Sequence, residues 1–549
     1  MMTYHNLFLG GGKPMKTKTA HAFIALVVVF AMILSGCTSK EQGTIAESTS
    51  TKDAPKQGGT LIVGLNAEIT VLDPSREAGW ETFRVNRQIH ESLVTEDLSK
   101  PTKEVPIPPL KPALAESWKV SEDGLIYTFH LRRGVNFHDG TPFNAAAVEF
   151  NIRRAWDPQF EYYDKISAAV MQLTYNGLKE IKTPDDYTVE LIFEKPFSPF
   201  LRMLAQGSGG TGLILSPTAL KKWGNDGYAE HPVGTGPFQF VERIRGEKIE
   251  LKRFDGYWGD KPYLDKVIFR PIPDDNARVT ALETGEIDII SWPSRDSVAK
   301  LRDKGFKIGE GDLPSIFYYA FNFDSPYFKD PKIRQAFIYA IDREGLARDL
   351  LKNTVSPAFS IQNPGNEAFD PNFKDFSYDP EKARALLKEA GYPEGFETKL
   401  ITYAGKEPVA EWIQRDLAKV GIKLKIQTYD WNSYLAVKKA KTPDIGLDSM
   451  EWGFVTPYWL YIVAHSNSGS NSGKYVSPAF DQAVDKAILE PNQQKSITYW
   501  KEANKIIAED AGILPIYYDR THYAIGKNVN GFVVAAQDWY DLNKVWIKQ

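Results

Sequence analysis

The sequence predicts an α/β protein of more than one domain, on three observations. Residues 379–452 carry strand and helix patterns in the order β-α-β-α-β after a leading helix, the order of an open parallel sheet. Residues 60–290 mix strands and helices without that regular alternation. The chain has 549 residues, 42% of them hydrophobic, which exceeds one core and implies domains of roughly 100–200 residues each.

Taken in order, TLIVGL (60–65) reads as a short buried strand. SREAGWETFRVNRQIHESLV (75–94) reads as an amphipathic helix with Phe83, Ile89 and Leu93 on its apolar side. LIYTFHLRRGV (125–135) alternates like a strand, and HDGTPFNAAAVEFNIRRAWD (138–157) reads as a turn followed by a helix. Alternation returns in 187–194 and 248–254, then a strand in 267–273. Residues 277–290 read as a helix, a glycine stop and a strand. Further on, Asp379, Pro380 and Gly391 mark the N-cap, first turn and end of a helix. Strand 398–404, helix 409–420 closed by Gly421, strand 422–429, helix 430–440 and strand 444–452 follow. Ligands of such sheets bind beyond the carboxyl ends of the strands. Trp452, Gly453 and Phe454 lie past such an end and are cleft candidates.

Charge excludes some functions. With 66 basic and 70 acidic side chains, the net charge of −4 leaves no basic excess for a nucleic-acid footprint. The 13 Trp, 26 Tyr and 30 Phe exceed what cores need, so some rings are expected on a binding surface. AFIALVVVFAMIL (22–34) is too short to span a bilayer and follows Lys16 and Lys18, so residues 1–36 read as a signal peptide, with Met15 a plausible start. The one cysteine, Cys37, closes that segment behind Leu34-Ser35-Gly36, which resembles a bacterial lipobox and implies lipidation at Cys37. Without a second cysteine there is no disulfide and no cysteine metal site. Residues 38–59 are polar and read as a tether to a membrane-anchored lipid.

No catalytic motif stands out. The eight histidines form no HExxH, and neither GxSxG nor a Walker A sequence occurs. GSGGTG (207–212) matches GxGxxG but precedes a strand-like run rather than a helix, so it reads as a glycine-rich loop beside a cleft. No catalytic residue, cofactor or metal site is assigned.

LRRGVNFHDGTPFNAAAVEFNIRRAWDP (131–158), HPVGTGPFQF (231–240), YWGDKPYLDKVIF (257–269), ALETGEIDI (281–289) and FNFDSPYFKDPKIRQAFIYAIDRE (321–344) follow one another. Together they resemble the extracytoplasmic solute-binding proteins of ABC importers, in the peptide/nickel-binding family. The resemblance covers about residues 58–549. It implies a two-lobed fold, periplasmic-binding-protein-like, with an extra subdomain on the first lobe and a hinge between lobes. Lobe I is expected at 60–104, 231–315 and 505–549, the subdomain at 105–230 and lobe II at 316–504. Permease and ATPase subunits are the implied partners, with a monomeric receptor anchored to the outer face of the cytoplasmic membrane. Gly234, Gly236 and Pro237 are expected to shape backbone rather than touch ligand. The expected ligand-binding set is Trp452, Gly453 and Phe454 with Trp80, Asn322, Gly210, Tyr518 and His465. Peptide receptors of the family place an aspartate shortly after the tryptophan, where this chain has Val455. The solute stays open among a peptide, a nickel or other metal chelate and a sugar-like molecule, and a sensor role without transport is the remaining alternative.

Overall fold

The computed structural model describes residues 54–77, 79–205, 212–373, 376–536 and 538–548. The signal peptide, Cys37, most of the tether and Gly210 lie outside the described residues. Residues 55–549 form one compact unit.

Its frame is one mixed sheet with, among the described residues, 11 strands. At one end Thr60–Leu65 runs parallel to Lys266–Pro271 and to Ile289–Ser291. At the other, Glu397–Tyr403 runs parallel to Lys423–Tyr429 and to Ile445–Trp452. Two long antiparallel strands, Lys307–Phe321 and Ile513–Ile525, join the ends. Their ladder is intact from Lys307↔Ile525 to Asp312↔Arg520, breaks, and resumes at Ile316↔Tyr518. Pro314 sits inside the break, where its missing N–H cannot serve a ladder.

Each strand face has its own core. From the resumed ladder, Phe317, Tyr319 and Phe321 point into a cluster with Leu400, Ile413, Leu417 and Leu447. Ile316, Tyr318 and Ala320, on the opposite face, pack with Tyr458, Trp459 and Trp500. Leu61, Val63, Phe238, Leu251 and Phe269 fill the core at the other end of the sheet.

A separate four-stranded antiparallel sheet is built from Ala115–Val120, Ile126–Leu131, Thr188–Phe193 and Leu178–Asp185. It carries the helices Ala145–Trp156 and Lys165–Met171. This insert leans on the second half of the sheet frame. Ser198 N donates to Ile488 O at 2.9 Å, Arg202 pairs with Glu367 at 2.8 Å, and Phe197 meets Tyr458 edge-on at 5.2 Å between centroids.

Signals that act between near neighbours along the chain shape the structure as expected. Asp379 accepts from Lys382 N at 2.9 Å, Pro380 opens the helix, and Gly391 turns at φ +90°. The helix expected over 75–94 is shorter, Trp80–Ile89. Asp73 explains the late start: it is fully buried, accepts from Ser75 N–H and is ion-paired to Arg154 at 2.7 Å, which holds 73–75 in a turn. Beyond Ile89 the chain enters short strands at 91–92 and 94–96. Gly234 and Gly236 serve close packing: a Cβ at Gly234 would lie 2.1 Å from Ile89 O, and one at Gly236 2.6 Å from Gln88 O.

The same loop holds His138. Its Nε2 lies 2.9 Å from Gly236 O, and its Nδ1 accepts from Gly234 N–H at 3.4 Å. That arrangement fits only the neutral ring, and burial pulls its pKa from 6.5 down to about 4. As pH falls through that window the unfolded chain takes up a proton that the folded state refuses, so stability falls by up to about 1.4 kcal/mol per pH unit. His138→Gln keeps a donor and an acceptor without the titration. It is expected to flatten the acid side of the melting-temperature profile between pH 6.5 and 4. A slope identical to wild type would contradict this assignment.

Candidate functional site

The parallel strands of both ends deliver their carboxyl edges to the region where the two long strands cross. Leu65, Pro271 and Ser291 end strands on one side; Tyr403, Tyr429 and Trp452 end them on the other. Loops leaving such edges are free of the ladder and can present side chains to a ligand.

Trp452 pairs with Ile316 of the crossing strand, is half-buried, and meets Phe454 edge-on at 5.3 Å. Its neighbours correct two expectations. A Cβ on Gly453 would lie 2.2 Å from Pro314 O, so the crossing strand itself requires glycine there. Phe454 is buried in the core, and its carbonyl accepts from Asn366 Nδ2 at 2.9 Å.

Tyr518 organises a segment that sequence reasoning did not single out. Its hydroxyl donates to Ser360 O at 2.9 Å and accepts from Ser360 N at 3.1 Å. The chain then passes Gln362 and Asn363, both fully buried. Gln362 Oε1 accepts from Trp459 Nε1 at 2.8 Å and Asn363 Oδ1 from Gly365 N at 2.9 Å. Their amide nitrogens, and Ser315 Oγ beside Pro314, have no hydrogen-bond partner among the described residues. Buried donors left unmatched cost about 1–3 kcal/mol each, so these groups are unlike ordinary core residues.

A charged group lies at the same crossing. Lys406 Nζ binds Glu451 Oε2 at 2.6 Å and donates to Tyr517 OH at 3.0 Å. Tyr517 OH is 3.3 Å from Glu451 Oε1. Glu451 and Asp519 share a hydrogen bond; burial, and then the Glu451 charge, push Asp519 up to about 8. Burial also opposes the Lys406 charge, but Glu451 overrides it and its pKa is raised. Arg295 enters from the other side: it donates to Thr354 Oγ1, and its guanidinium lies 5.9 Å from the centre of the Tyr517 ring.

Trp80 is half-buried and edge-on to Trp292 at 6.0 Å. Trp292 Nε1 donates to Asp538, which also accepts from Thr521 Oγ1 at 2.9 Å and pairs with Arg84. This network fixes Trp292, three residues before Arg295.

Asn322 and His465 have other work. Asn322 Nδ2 donates to Thr442 O and Ile445 O while Oδ1 accepts from Asp324 N, so a buried amide clips the end of the crossing strand. His465 is 2% exposed, lies tilted against the Tyr461 ring at 4.7 Å and faces Asp481 and Asp485 of the helix Pro478–Leu489. Neither side chain joins the Trp452 group. Lys406, Glu451 and Arg295 were missed, although the rule that nominated Trp452 applies to them, since they sit at or just past the carboxyl edges of strands.

The fold is that of the two-lobed periplasmic binding proteins. Residues 109–474 match the family described as bacterial extracellular solute-binding proteins, family 5, middle part. The dipeptide-binding protein of Escherichia coli (strain K12) is 32% identical over 451 residues, covering 77% of this chain and 83% of that protein. The glutathione-binding protein GsiB of Escherichia coli O1:K1 / APEC is 32% identical over 490 residues, 86% and 91% of the two chains. DppA of Helicobacter pylori, a periplasmic binding protein in complex with the peptide STSA, matches with a TM-score of 0.76 and 29% identity over 90% of this chain and 99% of that one. This chain belongs to the family 5 bacterial extracellular solute-binding proteins. It is a family of extracytoplasmic binding proteins, not of enzymes.

Two substitutions probe the crossing. Gly453→Ala forces backbone against backbone at Pro314 and is expected to cost roughly 1–3 kcal/mol, read as a lower denaturation midpoint. Trp452→Ala removes a half-buried indole. It is expected to weaken solute binding about 30-fold, near 2 kcal/mol, with a smaller loss of stability. A large fall in melting temperature with unchanged affinity would assign Trp452 to the core.

Proposed function

We propose that this protein is the lipid-anchored receptor of an ABC importer, which captures a peptide-like solute outside the cytoplasm and hands it to a membrane permease. The likeness to the dipeptide-binding protein over 77% of the chain carries the reading. Likeness to the peptide-bound receptor from Helicobacter pylori over 90% of the chain supports the same solute class. The lobes are assigned as 60–104, 231–315 and 505–549 for lobe I and 316–504 for lobe II, with 105–230 as the subdomain. The crossing strands then form the hinge, and solute closes the lobes by rotation at the ladder break between Asp312 and Ile316. Trp452, Trp80 and the Ser360–Asn363 segment held by Tyr518 line the closed cleft. Gln362 and Asn363 offer buried amide donors suited to peptide carbonyls.

Mass spectrometry of solute released by denaturing the purified protein tests the class, with peptides expected and a metal chelate or sugar overturning it. Small-angle scattering with a saturating peptide pool is expected to show a smaller radius of gyration; an unchanged radius would refute closure. Leu34-Ser35-Gly36-Cys37 supports the anchor. Cys37→Ala is expected to abolish lipid labelling while leaving solute binding intact.

A further inference from the structure

We propose that a cavity at the amino edge of the sheet is a second ligand site, one that takes a small organic cation on the carboxylate of Glu91. It lies away from the crossing. The helix Trp80–Ile89 starts beside Trp292, at the carboxyl edges, and runs about 15 Å to the opposite end. There Ile89 O accepts from Gly236 N, next to the edge where Thr60 and Lys266 begin their parallel strands. The end of that helix, the strand residues 91–95 and 111–112, the loop 257–260 and the segment 531–544 surround a cavity of about 550 Å³. That volume suits a small molecule.

Glu91 is held in place by three donors: Tyr257 OH at 2.8 Å, Trp258 Nε1 at 2.8 Å and Thr235 Oγ1 at 2.9 Å. All three are neutral. A carboxylate offers about four acceptor sites, so one stays open, and the half-buried side chain lines the cavity. A carboxylate steadied by neutral donors gains more from a charged one, because a hydrogen bond between ions is roughly twice as strong. The walls suit an organic body on that cation. Leu98, Pro112, Pro237 and Val533 supply apolar surface, and the Tyr257 and Trp258 rings stand beside the carboxyl.

The charges around the cavity are committed elsewhere. Arg87, one helical turn before Glu91, donates to Asp541 at 3.1 Å and to Thr95 Oγ1 at 3.0 Å. Lys111 pairs with Asp97 at 3.2 Å and Lys544 with Asp260 at 2.7 Å. Arg132 covers the Trp258 ring, 4.5 Å from its centre, and donates to Ala113 O. His90 is neutral, brought down to about 3 by burial, and burial keeps the proton on Tyr257. Among these charges Asp541 acts most on Glu91, and it opposes ionisation. Burial lifts the Glu91 pKa from 4.5 to about 7, with Asp541 adding to the push and the three hydrogen bonds resisting it. At pH 7 the carboxyl is therefore about half protonated. An ammonium ion binds the ionised form and so releases a proton. Its affinity falls by up to about tenfold per pH unit below that pKa.

The test uses the whole mature chain, with benzylammonium as the probe and benzyl alcohol as its neutral isostere. Calorimetry at pH 8 is expected to favour the cation by about tenfold, the discrimination of one hydrogen bond between charged groups. Titration in two amine-free buffers of different ionisation enthalpy should show about half a proton released per cation bound at pH 7, and about a tenth at pH 8. Glu91→Gln should lose both the preference and the proton release. A melting temperature near that of wild type checks that this variant is folded; if it is not, proton release by the wild type decides alone. Equal affinity for the two probes, binding at pH 7 without proton release, or a preference that survives Glu91→Gln overturns the site. Failure of both probes to bind overturns it as well.

Discussion

The pairing of Lys307–Phe321 with Ile513–Ile525 is the interaction on which the rest of this structure depends. It ties the two ends of the sheet together, because residues 307–312 pair with 520–525 at one end and residues 316–320 with 513–518 at the other. Alternation along 316–321 sends Phe317, Tyr319 and Phe321 to one core and Ile316, Tyr318 and Ala320 to another. A slip of one residue would exchange the two sets, so the register is locked by packing on both faces. The ladder is interrupted around Pro314 and shifts register again between Phe317 and Tyr318, and at Pro314 Gly453 lets the backbone of the neighbouring segment come close. Rigidity on both sides of a short break is the arrangement that concentrates rotation at a few backbone positions.

The crossing inherits its chemistry from that geometry. Parallel strands on both sides end at the crossing, so the loops that leave them converge from two directions. One side is braced by Trp80, Trp292 and Asp538, where the Trp292 indole N–H and the Thr521 hydroxyl both donate to Asp538. The other carries Trp452 and the Lys406–Glu451 pair. Buried charges are tolerated only when paired or neutralised, and both devices occur: Lys406 pairs with Glu451, and Asp519 holds its proton. Arg295 donates to Thr354, lies over the Tyr517 ring and adds to the positive charge that steadies Glu451.

The insert is not a bystander. Arg202 reaches Glu367 in the segment that Tyr518 anchors, and Ser198 N bonds to Ile488 O. A rotation about the crossing must carry the insert with lobe II or part these contacts. Their loss and recovery would then enter the equilibrium between open and closed forms, coupling a surface far from the solute to its affinity.

The sequence by itself determined what depends on neighbours along the chain. Asp379, Pro380 and Gly391 announce a helix because capping involves residues a few positions apart. The parallel order of 397–452 follows from periodicity and turn spacing, and it places Trp452 at a carboxyl edge. Tertiary structure decided what depends on residues distant in the chain. The helix begins at Trp80 because Asp73 is claimed by Arg154, 81 positions away. Asn322 is a clip and Phe454 is core because of partners brought to them by the sheet. The charged crossing joins Arg295, Thr354, Lys406, Glu451 and Asp519, which share no motif and no period. Coulomb energy and desolvation depend on separation in space, and that separation exists only once the two long strands have paired.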